Sequence, residues 1–241
     1  MRTRTPAALL LAAALASPAA ARAHEAPLAG DGAKVTQRRE VPAFLRIELR
    51  GPLDVRVTEG QAPSVAVTID HNLQPLVTTE VKGDTLVVDT ERGMHFRGPG
   101  EVVVTLPELR GLAIEGSGDA RVRGAEAGRD VKLEISGSGD IAWSGQAGKV
   151  AVRIEGSGNV ALEGKAGELE ARVDGSGDVS GKALRVKSAR LSINGSGDVS
   201  ATLDGGDLRA EVNGSGDIVW YGSATTSSLQ ASGSGTVSHR P

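Results

Sequence analysis

From residue 111 onward, apolar and polar positions alternate with period two, and the alternation restarts after every Gly-Ser-Gly triplet. The triplets begin at Gly116, Gly137, Gly156, Gly175, Gly195, Gly214 and Gly233, in steps of 21, 19, 19, 20, 19 and 19 residues. Two residues ahead of them stand Ile114, Ile135, Ile154, Val173, Ile193, Val212 and Ala231; four ahead stand Leu112, Leu133, Val152, Ala171, Leu191, Ala210 and Leu229. Mostly polar residues separate the two, such as Glu134, Arg153, Arg172 and Glu211. After the triplet, apolar character resumes at Ala120, Ile141, Val160, Val179, Val199, Ile218 and Val237. This is the pattern of strands with one buried face, so each repeat reads as strand, tight bend, strand and return turn.

A unit this short cannot bury a face alone, whereas stacked copies can. Pairing each strand in parallel with its equivalent in the next copy lines up the inward positions as continuous apolar ladders. The glycines fit stacked bends, where backbones approach closely and φ turns positive. The sequence therefore predicts an all-β protein, a right-handed parallel β-helix with rungs of 19–21 residues, handedness following the rule for parallel crossovers. Nine-residue calcium-binding rolls, leucine-rich repeats and propeller blades do not match the period or the residues. Upstream, strand-like runs at 44–49, 53–58, 65–69, 76–81, 85–88 and 102–106 lack the triplet. They read as irregular first rungs and a cap over 41–110, continuous with the repeats at 111–238 in one domain, 41–241. Residues 24–40 read as a flexible leader.

The first 23 residues carry Arg2 and Arg4, an apolar run over 6–16, and small residues around Ala21 and Ala23. That is the layout of a secretory signal peptide. No later stretch is long and apolar enough for a transmembrane helix. Removing 1–23 takes Arg2, Arg4 and Arg22 from the 27 basic residues, leaving 24 against 30 acidic, a formal charge of −6. With no basic stripe, nucleic acid is not an expected partner. The chain has no cysteine, and aromatic residues make up only 2% of it, which suits a narrow core of Val, Ile, Leu and Ala.

Further stretches carry a family likeness. Leu53-Asp54-Val55-Arg56-Val57-Thr58-Glu59-Gly60 is followed by Val65-Ala66-Val67, then Asp70-His71-Asn72-Leu73 and Gly83-Asp84-Thr85-Leu86. Val103-Val104-Thr105-Leu106-Pro107-Glu108-Leu109 leads into Gly116-Ser117-Gly118-Asp119. Over about residues 40–238 the chain resembles the bacterial auto-transporter adhesin head domain, or GIN domain, family. The resemblance implies a β-helical domain of exported proteins with an adhesive role, and it brings no catalytic residue set.

Candidate chemistry follows the repeat. Asp119, Asp140, Asp178, Asp198 and Asp217 occupy equivalent places, with Asn159 and Thr236 completing the row. Stacked carboxylates can hold Ca²⁺. They can equally cap turns, each Asp bonding its own bend, and the uncharged Asn159 and Thr236 favour that reading. The serine row has no neighbouring base and reads as bend chemistry. Trp143 and Trp220 share a place in different rungs, at the parity of the inward Ile141 and Ile218; Trp220-Tyr221 is the one adjacent aromatic pair. The loop over 91–100 holds Arg92, His95, Phe96 and Arg97, a second candidate ligand-binding group on a rigid scaffold. His24 would head the mature chain without metal spacing to the other histidines. The expectation is an exported, non-catalytic, adhesin-like module, in the periplasm or at the cell surface, presenting β-faces to a glycan or an envelope or extracellular protein. It has no cofactor beyond a possible calcium. The alternatives are a polysaccharide lyase or hydrolase, which rests on fold analogy alone, and a structural envelope protein without a small ligand.

Overall fold

In the computed structural model the described residues are 28–91, 94–124 and 129–241. The alternation becomes structure as the period demands. Leu112, Ile114, Leu133, Ile135, Ile154, Val173 and Ile193 are buried, while Glu134, Arg153, Arg172 and Ser192 point outward. Equivalent strands pair in parallel in strict register: Val131–Gly137 lies on 150–156, that segment on 169–175, and so on to Thr226–Gly233. The chain is a parallel β-solenoid whose rungs run almost unbroken, as in Ile141–Gly156 and Val160–Gly175. One apolar cluster fills it from Phe44 to Ile218.

Two walls meet at the Gly-Ser-Gly-Asp bend. The serine N–H donates to the first-glycine carbonyl of the rung before, at 2.8–2.9 Å in six successive rungs from Ser138 to Ser234. The second glycine explains itself by space: a Cβ on Gly197 would lie 1.9 Å from the Gly177 carbonyl oxygen, and one on Gly216 the same distance from that of Gly197. The step of 20 residues between Gly175 and Gly195 is a local bulge. Pairing slips by one residue between Ala161 and Glu163, so that Leu162 faces both Gly181 and Lys182.

The first rungs are stacked out of chain order. Arg46–Gly51 and Asp54–Glu59 form a regular rung, with Gly51 against Gly116 and Val55 against Ala120. On its other side lies the rung built from Thr85–Thr90 and Glu101–Leu106. The spatial order is therefore 85–106, then 46–59, then 111–123. Between the two early rungs the chain leaves the stack and caps it. Val77–Lys82 runs antiparallel to Thr85–Thr90, and Ser64–Asp70 runs antiparallel to Glu101–Leu106. The stretch 41–110 thus holds both rungs and cap, with an order in the stack that the sequence does not disclose. The leader is corrected: Lys34–Arg39 is a strand antiparallel to Ser64–Asp70, and Leu28–Ala29 pairs with Met94–His95. Main-chain bonding to a buried partner strand outweighs the polar, non-alternating side chains of 34–39.

Two buried polar residues fasten this cap. Asp70 is 0% exposed, and its carboxylate accepts the N–H of Gly32 at 2.9 Å and that of Arg97 at 3.0 Å. Gln74 is 1% exposed; its amide donates to the carbonyls of Val35 and Val67 at 2.8 and 3.0 Å and accepts from Arg39 at 2.9 Å. Buried polar groups this well bonded fix one arrangement of the strands around them. The far end differs: every residue of Thr226–Gly233 is exposed, and Leu229 is 44% accessible.

Three substitutions test these points by denaturant unfolding followed by circular dichroism. Gly197→Ala drives a methyl into a backbone carbonyl and is expected to destabilise by about 3 kcal/mol or more. Gly205→Ala, at φ +85° with open space around it, is expected to cost only about 1 kcal/mol. Equal effects would show that backbone stacking does not dictate the bend glycines. Gln74→Ala strands two carbonyls and is expected to cost about 3 kcal/mol, with early loss of protection at 34–39 in hydrogen exchange.

Candidate interaction surface

The two walls differ in what they show to solvent. The wall ahead of the bend carries charges that pair among themselves. Arg153 Nε meets Glu155 at 2.8 Å, Arg172 grips Asp174 at 2.7 and 3.0 Å, Lys132 meets Glu134 at 2.8 Å, and Arg50 pairs with Glu48. Exposed pairs of this kind contribute about 0–1 kcal/mol each.

The wall after the bend carries a column of small, uncharged residues. Ala142, Ala161, Ser180, Ser200, Val219 and Ser238 pair successively across five strand junctions. At about 4.8 Å per strand the column runs for about 24 Å. On the capped side it continues into Arg121 and Arg56. A second outward column beside it contains Ser144, Glu163, Thr202 and Tyr221, with Arg123 on the capped side and Arg240 on the other. Short side chains on straight, parallel strands leave the part of this wall along the first column flat.

The aspartate row lies on the edge between the walls. Asp140 N–H donates to Asp119 Oδ1 at 3.0 Å, and Asn159 N–H donates to Asp140 at 2.8 Å. Asp178 donates to Asn159 at 3.1 Å, then Asp198, Asp217 and Thr236 each to the residue before at 2.8 Å. Each side chain thus serves the next rung, which corrects the expectation that it caps its own bend. Asn159 supplies the same acceptor oxygen without charge. Thr236 closes the row, with its hydroxyl also on Asp217 at 2.7 Å. The row starts one rung earlier than the Gly-Ser-Gly repeat shows: Asp119 N–H donates to Asp54 Oδ1 at 3.0 Å. Gly51-Pro52-Leu53-Asp54 is a bend of the same kind, missed because the triplet is absent. Ile47, Leu49 and Val55, at the usual offsets from Gly51, would have revealed it. Among the described residues no three His, Asp or Glu side chains are arranged to hold a metal ion.

The remaining candidates separate. Trp143 is buried in the core, whereas Trp220 is half-buried, with the His239 ring stacked on it at 3.9 Å. Tyr221 points the other way, onto the flat wall, with the Lys182 ammonium 4.7 Å from its ring centre. The two adjacent aromatics therefore do not form one surface. Arg92 lies outside the described residues, as do His24 and the expected signal peptide. His95 and Arg97 are exposed; Phe96 packs partly buried against the core. The main chain of this loop is used structurally, since Gly30 N–H donates to the His95 carbonyl at 2.8 Å and Arg97 N–H to Asp70. Beside it Arg50, Pro52, Asp89, Glu91, Met94 and Phe96 line an open depression of about 660 Å³.

Several carboxyls titrate below their ordinary values of 4.5 for Glu and 3.8 for Asp. The Arg110 hydrogen bond lowers Glu108, Lys149 lowers Glu170, Arg172 lowers Asp174, and the Thr236 hydroxyl lowers Asp217. The unfolded chain takes up protons on these groups before the folded one does. Their stabilisation is therefore present above the ordinary values and is lost as pH falls through the depressed ones. The thermal midpoint is expected to stay level from about pH 7 to pH 5 and to decline below about pH 4.5. A midpoint that rises on acidification would contradict these assignments.

Among the described residues, no helix is long and apolar enough to cross a membrane. No curated protein matches the sequence. Several solved structures share the fold. A putative adhesin from Bacteroides fragilis superposes with a TM-score of 0.81 at 24% identity, covering 88% of this chain and all of its own. A putative lipid binding protein from Parabacteroides distasonis gives 0.73 at 22%, covering 89% of this chain and 99% of its own. A putative adhesin from Parabacteroides merdae gives 0.71 at 20%, with the same coverage. The family model described as "Putative auto-transporter adhesin, head GIN domain" matches residues 43–224, which take in the first regular rung and most of the flat wall, and the chain belongs to that family.

Proposed function

We propose that this chain is an exported, non-catalytic interaction module that uses the flat wall after the bend to hold a partner at the cell envelope or outside it. The observation that carries this reading is the uncharged column from Ala142 to Ser238, set against a neighbouring wall whose charges are already paired. Uncharged, level surface desolvates at little penalty, whereas covering the ion-paired wall would strip water from charges. The rigid register fixes the column before contact, so little side-chain entropy is lost on binding. Family membership agrees with an adhesive role outside the cytoplasm. Alanine, serine and valine suit a protein surface better than a sugar, which is usually held by aromatic faces and directed polar groups.

The test is retention of cells and purified envelope or extracellular proteins on the immobilised chain, followed by affinity measurement for whatever is retained. Ala161→Lys and Ser180→Lys are each expected to weaken binding about tenfold or more, corresponding to about 1.4 kcal/mol. Ser136→Lys, on the ion-paired wall, is expected to leave affinity unchanged. Wall variants that bind as tightly as the parent chain would remove the flat wall from consideration.

A further inference from the structure

The cations around the flat wall differ from those on its neighbour. On the ion-paired wall Arg153 stands beside Arg172, and each holds a carboxylate, Glu155 or Asp174. After the bend Arg121 stands beside Arg56, and Lys165, past the corner at Gly164, stands beside Arg185. Of these four only Arg56 has a carboxylate, that of Glu101. Arg121, Arg123, Lys165 and Arg185 are all exposed, and among the described residues none of the four makes an ion pair or a side-chain hydrogen bond. Like charges on adjacent strands, about 4.8 Å apart, repel. The folded chain therefore carries a repulsion that a bound anion would relieve.

The four cations flank one hollow. Arg121, Arg123, Ala142 and Ala161 line a depression of about 400 Å³. Gln146, Lys165 and Arg185 line another of about 430 Å³. Ser144, Glu163 and Ala183 belong to both, so the two form one trough. It crosses three strand junctions, from Arg121 through Ala142 and Ala161 to Ser180, about 14 Å. Four cations thus face it against the single carboxylate of Glu163, on a protein whose formal net charge is −3.

We infer that this trough docks an extended acidic segment of a protein partner, with carboxylates on Arg121 and Arg123 at one flank, carboxylates on Lys165 and Arg185 at the other, and a hydrogen-bond donor on Glu163 between them. The inference rests on the flat wall being the binding face and adds the charge of what it binds. An uncharged floor with a charged rim is the ordinary anatomy of a protein interface. Complementary charge at the rim speeds encounter and rejects wrong partners. A polysaccharide charged at every unit would set one of its charges against Glu163, whereas a peptide can change character from residue to residue. The ring beside the trough, Trp143, is buried, so no aromatic face is offered to a sugar.

The test is binding of a fluorescent synthetic peptide of alternating Glu and Thr to the whole chain, by anisotropy. Alternation sets every carboxylate on one side of an extended segment. Binding is expected at about 0.01 M salt and is expected to weaken about tenfold at about 0.15 M, as the Debye length falls from about 30 to about 8 Å. The same peptide with Lys for Glu is expected not to bind. Lys165→Glu combined with Arg185→Glu is expected to weaken binding about tenfold or more, and Arg209→Glu, an equal charge change on the ion-paired wall, to leave it unchanged for each charge reversed. Lys165→Gln is expected to keep or raise the thermal midpoint, since it removes a repulsion. Ala161→Gln, which raises the floor without charge, separates this inference from the reading beneath it. Binding weakened by Ala161→Gln but indifferent to the reversed cations and to salt would overturn the acidic partner and leave the wall as the binding face. Indifference to both kinds of variant would remove wall and inference together. No binding of the Glu peptide, tighter binding of polygalacturonate than of the peptide, or a midpoint lowered by Lys165→Gln would each overturn the inference.

Discussion

Every rung rests on a carbonyl oxygen lodged where a side chain would otherwise begin. Gly177 offers its oxygen to the bare α-carbon of Gly197, and Gly197 does the same for Gly216. This contact lets the rungs approach to ladder distance at the tightest point of the bend. Once that spacing is met, the serine N–H finds its carbonyl, the aspartate side chain reaches the next main chain, and Ile154, Val173 and Ile193 stack into one column. The apolar burial that stabilises the fold is thus a consequence of a geometry that only glycine permits there.

The repeat half of the molecule was legible because the same constraint recurs at each rung and leaves the same residues behind. Rung length, inward positions and parallel pairing all follow from the glycine spacing and the flanking alternation. The N-terminal third was not legible in the same way. Alternation at 46–59 and 85–106 identifies strands, but nothing in it says that the earlier segment lies between two later ones. The leader was missed because a strand such as Lys34–Arg39, exposed on its outer side, needs no apolar alternation. The aspartates were recognised as main-chain acceptors. Their true partner, one rung away, could not be told from a local one, since a carboxylate serves either equally well. Asp70 and Gln74 gave no signal in the sequence, because their roles depend on strands that meet only in the folded cap.

The site was legible in part. Tyr221 does reach the outer surface and Phe96 does border a depression, but the uncharged column was overlooked because it consists of the least conspicuous residues in each rung. Searching for rings and charges passes over Ala142, Ala161 and Ser180. Only the registered stacking of strands turns them into one continuous wall, beside another on which Arg153, Arg172 and Lys132 are occupied with their own carboxylates.

The out-of-order stacking also bears on how the chain assembles. Rungs after residue 111 can be laid down one on another in chain order, each needing only its predecessor. The 46–59 rung emerges early, yet both its neighbours, 85–106 and 111–123, are made later. It must wait with both edges open until the cap has formed and the chain has crossed back over it. Closing those longer loops costs more entropy than closing any one regular rung. Assembly is therefore expected to be limited at this three-layer junction, with the regular rungs growing outward from it once it has closed.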